Sequence, residues 1–342
     1  MDRRDFIVSS LATGALLWSA RAWGGREDVV NVYSARHYGD EALYRAFTER
    51  TGIEVQLLEG KHEQIIQRLI QEGPATPADV LITVDASRLY DVGERGLLRP
   101  VRSEVLEKAI PAYLRHPEGL WWGVAIRRRI VVYAKGRVDP AELRRYEDLA
   151  DPRWKGRVLV RSGTNPYNIS FVAWMIARLG VAATEAWCRG FVANFARPPQ
   201  GGDTDQIRAV AAGAGDLALV NEYYLARLRA SDKAQDREVA EAVDAIFPDQ
   251  EGDGVHVNVT GVAVTRHAPH PDNGLRFLEY LASPPAQRHF TTVSLESPAN
   301  PEVEPHPALR DWVGVKMDTT NIHNYARFSA EAVKLMDRCG WR

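Results

Sequence analysis

Little in these 342 residues lends itself to thiol, nucleic-acid or membrane chemistry. The two cysteines, Cys188 and Cys339, are too few for a disulfide framework, and no Cys-x-x-Cys spacing offers a zinc or redox site. They leave open one disulfide in an oxidising compartment or two buried thiols. A net charge of −2 and a pI near 6.5 give no long-range attraction to DNA, RNA or an anionic membrane. No run reaches the ~18 apolar residues of a transmembrane helix. Common catalytic signatures are missing too. There is no Gly-x-Ser-x-Gly elbow and no Cys/His nucleophile pattern, and Gly213-Ala214-Gly215 precedes a strand, the reverse of a dinucleotide fingerprint. Asp249, Glu251 and Asp253 before Gly254 begin like a calcium loop, but Thr260 stands where the closing glutamate belongs. His267 and His270 sit in a Pro-rich loop without helical ligand spacing.

What is there begins with an export signal. Arg3 and Arg4 precede the apolar run Phe6 to Trp18, and Ser19-Ala20-Arg21-Ala22 offers a small-x-small cleavage site. The paired arginines resemble a twin-arginine leader. Cleavage near Ala22 is expected, leaving a chain of charge −3 in the periplasm, and no cysteine follows to carry a lipid anchor.

The remaining length is too great for one compact core, so two lobes are expected. Residues 29–33, 53–58 and 78–84 read as strands alternating with helices over 40–50 and 62–72, the pattern of a parallel sheet covered by helices. A second series follows: strands over 124–134, 156–162 and 216–220, helices over 167–179, 182–195 and 203–213, and a helix from 222. A strand over 256–265 and a helix over 271–282 look like further material for the first lobe, so more than one hinge strand joins the two. Residues 249–254 form the most polar loop.

In open parallel sheets, ligands collect beyond the carboxyl ends of strands, where helix N-termini also point. That rule selects Tyr38, Tyr167, and Tyr223 with Tyr224, four of twelve tyrosines. Phenolates are hard anionic donors suited to a small, highly charged cation, ferric iron foremost. A phenol titrates near pH ~10, but a bound cation repels the proton, and helix N-termini act in the same direction. Against this, a tyrosine at a strand end is commonly packing. Tyr223 and Tyr224 also point about 100° apart on a helix, which would leave one of them in the core.

Several stretches resemble the ferric-ion-binding periplasmic proteins of ABC iron importers. They are Val32-Tyr33-Ser34-Ala35-Arg36-His37-Tyr38, Arg161-Ser162-Gly163-Thr164-Asn165-Pro166-Tyr167-Asn168, Val220-Asn221-Glu222-Tyr223-Tyr224-Leu225-Ala226-Arg227, and Phe247-Pro248-Asp249-Gln250 with His256-Val257-Asn258-Val259-Thr260-Gly261. The resemblance implies a two-lobed α/β periplasmic-binding-protein fold of type II, each lobe a mixed, mainly parallel sheet flanked by helices. One lobe would comprise residues 28–125 plus 256–310, the other 126–255 plus 311–342. It further implies that Tyr38, Tyr167, Tyr223 and Tyr224 bind Fe(III), with His37 either ligating or outside the sphere. Arg127 is the candidate to offset the surplus negative charge or fix a synergistic carbonate, and Arg227 is a second candidate. The expected protein is a monomer and not an enzyme. It would take up ferric iron or ferric chelates and deliver the metal to an ABC permease. Two alternatives stay open: capture of an anionic solute such as a phosphonate, and an exported iron-dependent redox enzyme.

Overall fold

The computed structural model describes residues 27–36 and 39–342. The expected leader, His37 and Tyr38 lie outside the described residues.

The chain opens with β1 (Val29–Ser34), α1 (Glu41–Thr51), β2 (Glu54–Glu59), α2 (His62–Glu72) and β3 (Val80–Thr83). β1 pairs in parallel with β2 on one side and β3 on the other, as the alternation of strand and helix requires. Helix α1 turns Leu43, Tyr44 and Phe47 inward and ends at Gly52, whose φ of 75° closes the last turn in the left-handed region. Phe47 packs edge-on against Phe277 at 5.0 Å and lies 5.3 Å from the Tyr280 ring, which pins α1 to a helix more than 200 residues away in sequence.

Helices α3 (Ala86–Glu94) and α4 (Glu104–Ala109) lead to β4 (Trp122–Ala134), the longest strand. Then follow β5 (Val158–Leu159), α5 (Pro166–Leu179), α6 (Val181–Ala193), α7 (Asp203–Ala211), β6 (Leu217–Asn221), α8 (Glu222–Arg229), α9 (Ala234–Glu241) and β7 (Val243–Ile246). The chain then crosses back as β8 (Val257–Val264), followed by α10 (Pro271–Ala282), α11 (Pro284–His289), β9 (Ser297–Pro298), α12 (Ile322–Ala326) and α13 (Ser329–Cys339).

β4 belongs to two sheets. Its first part, through Arg128, pairs with β8, while from Arg129 onward it pairs with β6 and, on its other edge, with β7. β8 also pairs antiparallel with β3. The first sheet therefore runs β2-β1-β3-β8-β4, and the second is built from β5, β6, β4 and β7. One large hydrophobic cluster runs through both sheets, and a second, smaller one lies on the other face of the second sheet. The two sheets follow the two-lobed plan expected from the sequence, but they are mixed rather than mainly parallel. β1–β2, β1–β3 and β5–β6 pair in parallel, while β4 and β8, which run back against their neighbours, make the remaining pairings antiparallel. α13 packs on α5 and α6, and α12 on α3 and α5.

Strand β5 is shorter than the seven residues expected, because parallel pairing with β6 lasts only for Val158 and Leu159. Beyond Val160 the Arg161 carbonyl is bonded by side chains rather than by a neighbouring strand. Among the described residues no helix is long and apolar enough to cross a membrane.

Candidate functional site

Each described tyrosine candidate occupies the first turn of a helix that leaves a strand end. The turn before α5 is capped by Asn165, whose side chain accepts from the Tyr167 N–H at 3.0 Å, and Pro166 fills the first helical position, where no N–H is needed. Asn168 folds back, donating to the Arg161 carbonyl at 3.1 Å and the Ser162 carbonyl at 2.9 Å. In the second case β6 runs straight into α8, so Tyr223 and Tyr224 follow its end by two and three residues.

These elements bring the phenols together. The hydroxyl oxygens of Tyr167 and Tyr223 lie 3.5 Å apart, and the Tyr223 and Tyr224 rings are tilted by 31° with centroids 4.2 Å apart. Tyr223 belongs to the smaller buried cluster, on the second sheet, and Tyr224 packs against that cluster. Tyr167 and Tyr223 are buried and Tyr224 half-buried. A cation with oxygen bonds of about 2 Å places its donor atoms roughly 3–4 Å apart, so the Tyr167–Tyr223 separation suits a shared small ion. Among the described residues no group of three or more His, Cys, Asp or Glu could hold a metal.

The three consecutive arginines of β4, Arg127, Arg128 and Arg129, are all buried and do not form a solvated strand edge. Arg129 ties both tyrosine loops together. It donates to Asp203 and Asn221 at 3.0 Å, and to Asn168, the neighbour of Tyr167, at 2.5 Å. Arg128 points the other way, binding Glu222 through its backbone N–H at 2.6 Å and its side chain at 3.3 Å, with further bonds to the Trp312 carbonyl and Ser297. It thereby fixes the residue that immediately precedes Tyr223. Arg127 lies with its guanidinium 5.7 Å from the Tyr167 ring centroid and 5.9 Å from that of Tyr223. Arg227 stacks 4.9 Å from the Tyr223 ring and 6.0 Å from that of Tyr224, while its Nε donates to the Ser294 carbonyl at 3.1 Å. Both arginine candidates thus stand against ring faces, where a cation meets the negative side of the π-system.

Sequence reasoning missed the acids that balance these cations. Glu296 pairs with Arg127 at 2.6 Å and with Arg36 at 2.6 Å, and accepts from Thr260 and Ser294. A π-helical turn at Phe290–Ser294 and a left-handed Leu295, φ 54°, swing Glu296 into this position. Burial pushes its carboxyl pKa up, but the two guanidiniums outweigh that and hold it down at about 2. Asp203 does the same service on the other side, between Arg129 and Arg161 at 3.0 and 3.3 Å. Burial works against the Arg161 charge, yet Asp203, helped by Tyr224 and Tyr167, raises its pKa. A leucine in the left-handed region and the unusually buried acids were invisible as a motif, since their partners are distant in sequence.

A sequence profile described as bacterial extracellular solute-binding protein matches residues 42–317. Iron uptake protein A1 of Synechocystis is 46% identical over 319 residues, covering 93% of this chain and 89% of that one. Iron uptake protein A2 of the same organism is 44% identical, covering 100% and 99%. A solved structure of the Trichodesmium protein IdiA (FutA), in complex with iron and citrate, superposes with a TM-score of 0.89 at 48% identity, over 92% of this chain and all of that one. The length of these matches, spanning both sheets and every described candidate residue, places the chain in the bacterial extracellular solute-binding protein family, with the two-lobed type II fold.

Proposed function

We propose that this protein captures ferric iron outside the cytoplasm and hands it to an ABC permease, using tyrosine oxygens as the ligands. The observation that carries this reading is the meeting of Tyr167 and Tyr223 from two separate helix starts, with hydroxyl oxygens 3.5 Å apart and the Tyr224 ring against that of Tyr223. Tyr38 is assigned as the fourth ligand and His37 as an auxiliary one, on the strength of the loop they share with Arg36. The names of two similar proteins, iron uptake proteins A1 and A2 of Synechocystis, support the same cargo.

Iron would first engage the three tyrosines beside β6 and α5, in the lobe assigned to residues 126–255 plus 311–342. Closure about β4 and β8 would then bring the Tyr38 loop of the other lobe across the cleft. Four phenolates on Fe(III) leave a net charge of −1, which faces Arg227 across the rings and, more weakly, Arg127, whose charge is shared with Glu296. Because Arg127 already pairs with Glu296, a carbonate is assigned no obligatory role, and loading should proceed in bicarbonate-free buffer. An organic anion such as a phosphonate fits less well, since the arginines approach the rings rather than leave a cationic floor between them. An iron-dependent redox enzyme is disfavoured because four hard, anionic phenolates favour Fe(III) over Fe(II) and so oppose redox turnover.

The test is metal analysis and a visible spectrum after loading with ferric citrate, on the wild type beside Tyr223→Phe/Tyr224→Phe. Wild type should bind iron and show a phenolate-to-iron charge-transfer band that the double variant loses. Retention of full iron and colour by the variant would end this assignment.

A further inference from the structure

The loop that introduces Tyr167 is held from outside by a residue that is distant in sequence and far from any tyrosine motif. Trp341 is buried, and its indole Nε1 donates to the Arg161 carbonyl at 3.0 Å. That carbonyl also accepts from Asn168, so two donors from different parts of the chain fix one backbone group. The contact is close along the backbone as well. A Cβ placed on Gly163 would fall 2.2 Å from the Trp341 carbonyl oxygen and 3.1 Å from its carbon, so only glycine lets the two backbones approach this far.

Trp341 is itself held firmly. Its ring meets Phe191 at 5.1 Å and Phe195 at 5.9 Å, both edge-on, and its N–H bonds the Met336 carbonyl of α13. Just before it, Cys339 lies 3.7 Å from the Glu185 carbonyl of α6, and Arg338 pairs with Glu185 at 2.9 Å. The end of α13 and Trp341 just beyond it are thus wedged between α6 and the loop at 161–163. On the far side of that loop the Arg161 guanidinium sits 5.6 Å from the Tyr167 ring centroid and pairs with Asp203, which also holds Arg129.

We infer that Trp341 is a positioning residue of the tyrosine site: it fixes the backbone of Arg161 to Gly163, and through it the place of Tyr167 among the metal-binding phenols. The inference rests on the proposed iron-binding role of Tyr167. A ligand loop that is preorganised this way holds its donor in place when metal is absent, and loosening it weakens binding without removing a donor.

The experiment compares wild type, Trp341→Phe, Gly163→Ala, a variant lacking residues 341 and 342, and that shortened variant carrying Gly163→Ala. Each is loaded with ferric citrate, and the charge-transfer maximum and the rate of iron loss to excess EDTA are recorded alongside the thermal midpoint. Trp341→Phe keeps an aromatic ring against Phe191 and Phe195, at a smaller volume, and removes the indole donor. It should keep a near-native midpoint yet lose iron roughly fivefold faster, the scale of one net hydrogen bond, with a displaced charge-transfer maximum. Gly163→Ala should produce the same spectral displacement in the full chain, and much less of it in the shortened chain, where the carbonyl that the new methyl would strike is gone. Native spectra and rates in both Trp341→Phe and Gly163→Ala would overturn the inference, as would equal effects of Gly163→Ala in the full and shortened chains. Tyr167→Phe, run in parallel, separates the two levels. If it leaves iron content and colour untouched, the ligand reading falls and this inference with it. If it abolishes them while the Trp341 and Gly163 variants are silent, only the positioning role falls.

Discussion

Replacing Glu296 with glutamine removes one negative charge from between two buried guanidiniums and leaves the shape almost unchanged. In the folded protein the carboxyl pKa is held at about 2, against an ordinary value of 4.5. Each unit of difference is worth about 1.4 kcal/mol, so the ionised carboxylate contributes roughly 3 kcal/mol of stability near neutral pH. The group is fully buried, and its partners Arg36 and Arg127 are within 2.6 Å, so solvent screening takes little from this figure. The sign follows from a depressed folded pKa. The stabilisation is complete above pH 4.5 and is lost as pH falls toward 2, where both folded and unfolded forms bind the proton. Between pH 6 and pH 3.5 the unfolded carboxyl takes up its proton while the folded one resists, which removes about 1.4 kcal/mol. Urea unfolding of wild type and Glu296→Gln across this range reads that contribution, since carboxylates remote from Glu296 cancel in the difference and only Asp40, which shares Arg36 with it, is also affected. The variant should be less stable by about 3–5 kcal/mol at pH 7, the usual cost of breaking one side of a buried pair, and the gap should narrow by about 1.4 kcal/mol at pH 3.5. A gap that stays constant with pH would refute the claim that Glu296 is ionised between Arg36 and Arg127.

Three further outcomes are expected. Phe47→Ala should cost about 3–5 kcal/mol in urea unfolding, since Phe47 is fully buried against Phe277 and Tyr280; a loss below ~1 kcal/mol would mean the helix is not anchored there. Burial pushes the Cys188 thiol pKa far up, with Cys339 adding to the shift, so thiol reagents should leave both cysteines unlabelled in the native protein at pH 8 and label them after unfolding; rapid native labelling counted by mass spectrometry contradicts their burial. Protons compete with the metal for phenolate, so iron affinity should fall as pH drops from neutral to mildly acidic, and an affinity unchanged across that range, measured by chelator competition, would argue against tyrosine ligation.

How far the sequence speaks for itself can be seen in how each feature is encoded. The helix over 271–282 was legible to the residue because Pro271 starts it and Phe277, Leu278 and Leu281 repeat on one face. Tyr167 and Tyr223 were legible because a strand, a cap and a helix start are all local events. The short β5 was not, since Val160 and Arg161 look like any other strand residues. What ends the strand is an indole 180 residues further on and the amide of Asn168, both competing for the Arg161 carbonyl. α3 and α13 carry ordinary apolar spacing, Leu89 with Val92 and Ala332, Leu335, Met336 and Cys339, but no residue chemistry drew attention to them.

The same distinction explains the arginines. Their sequence shows that Arg127 and Arg129 share a face of one strand and Arg128 takes the other, but not that the strand passes from one sheet to another between Arg128 and Arg129. That passage decides what each guanidinium meets. Arg127 is left with β8 and Glu296, 169 positions away; Arg129 enters the second sheet and finds Asp203 and the two tyrosine loops. Three identical side chains in a row thus hold three different parts of the site: Arg127 backs the rings, Arg128 fixes Glu222 ahead of Tyr223, and Arg129 sets Asn168 and Asn221 in register. A change of register by one residue in β4 would exchange these partners and strand charges in the interior at several kcal/mol each. Well-packed apolar residues could replace these ion pairs at little net cost, yet the pairs fix where β4 crosses between the sheets, and with it the spacing of the phenols.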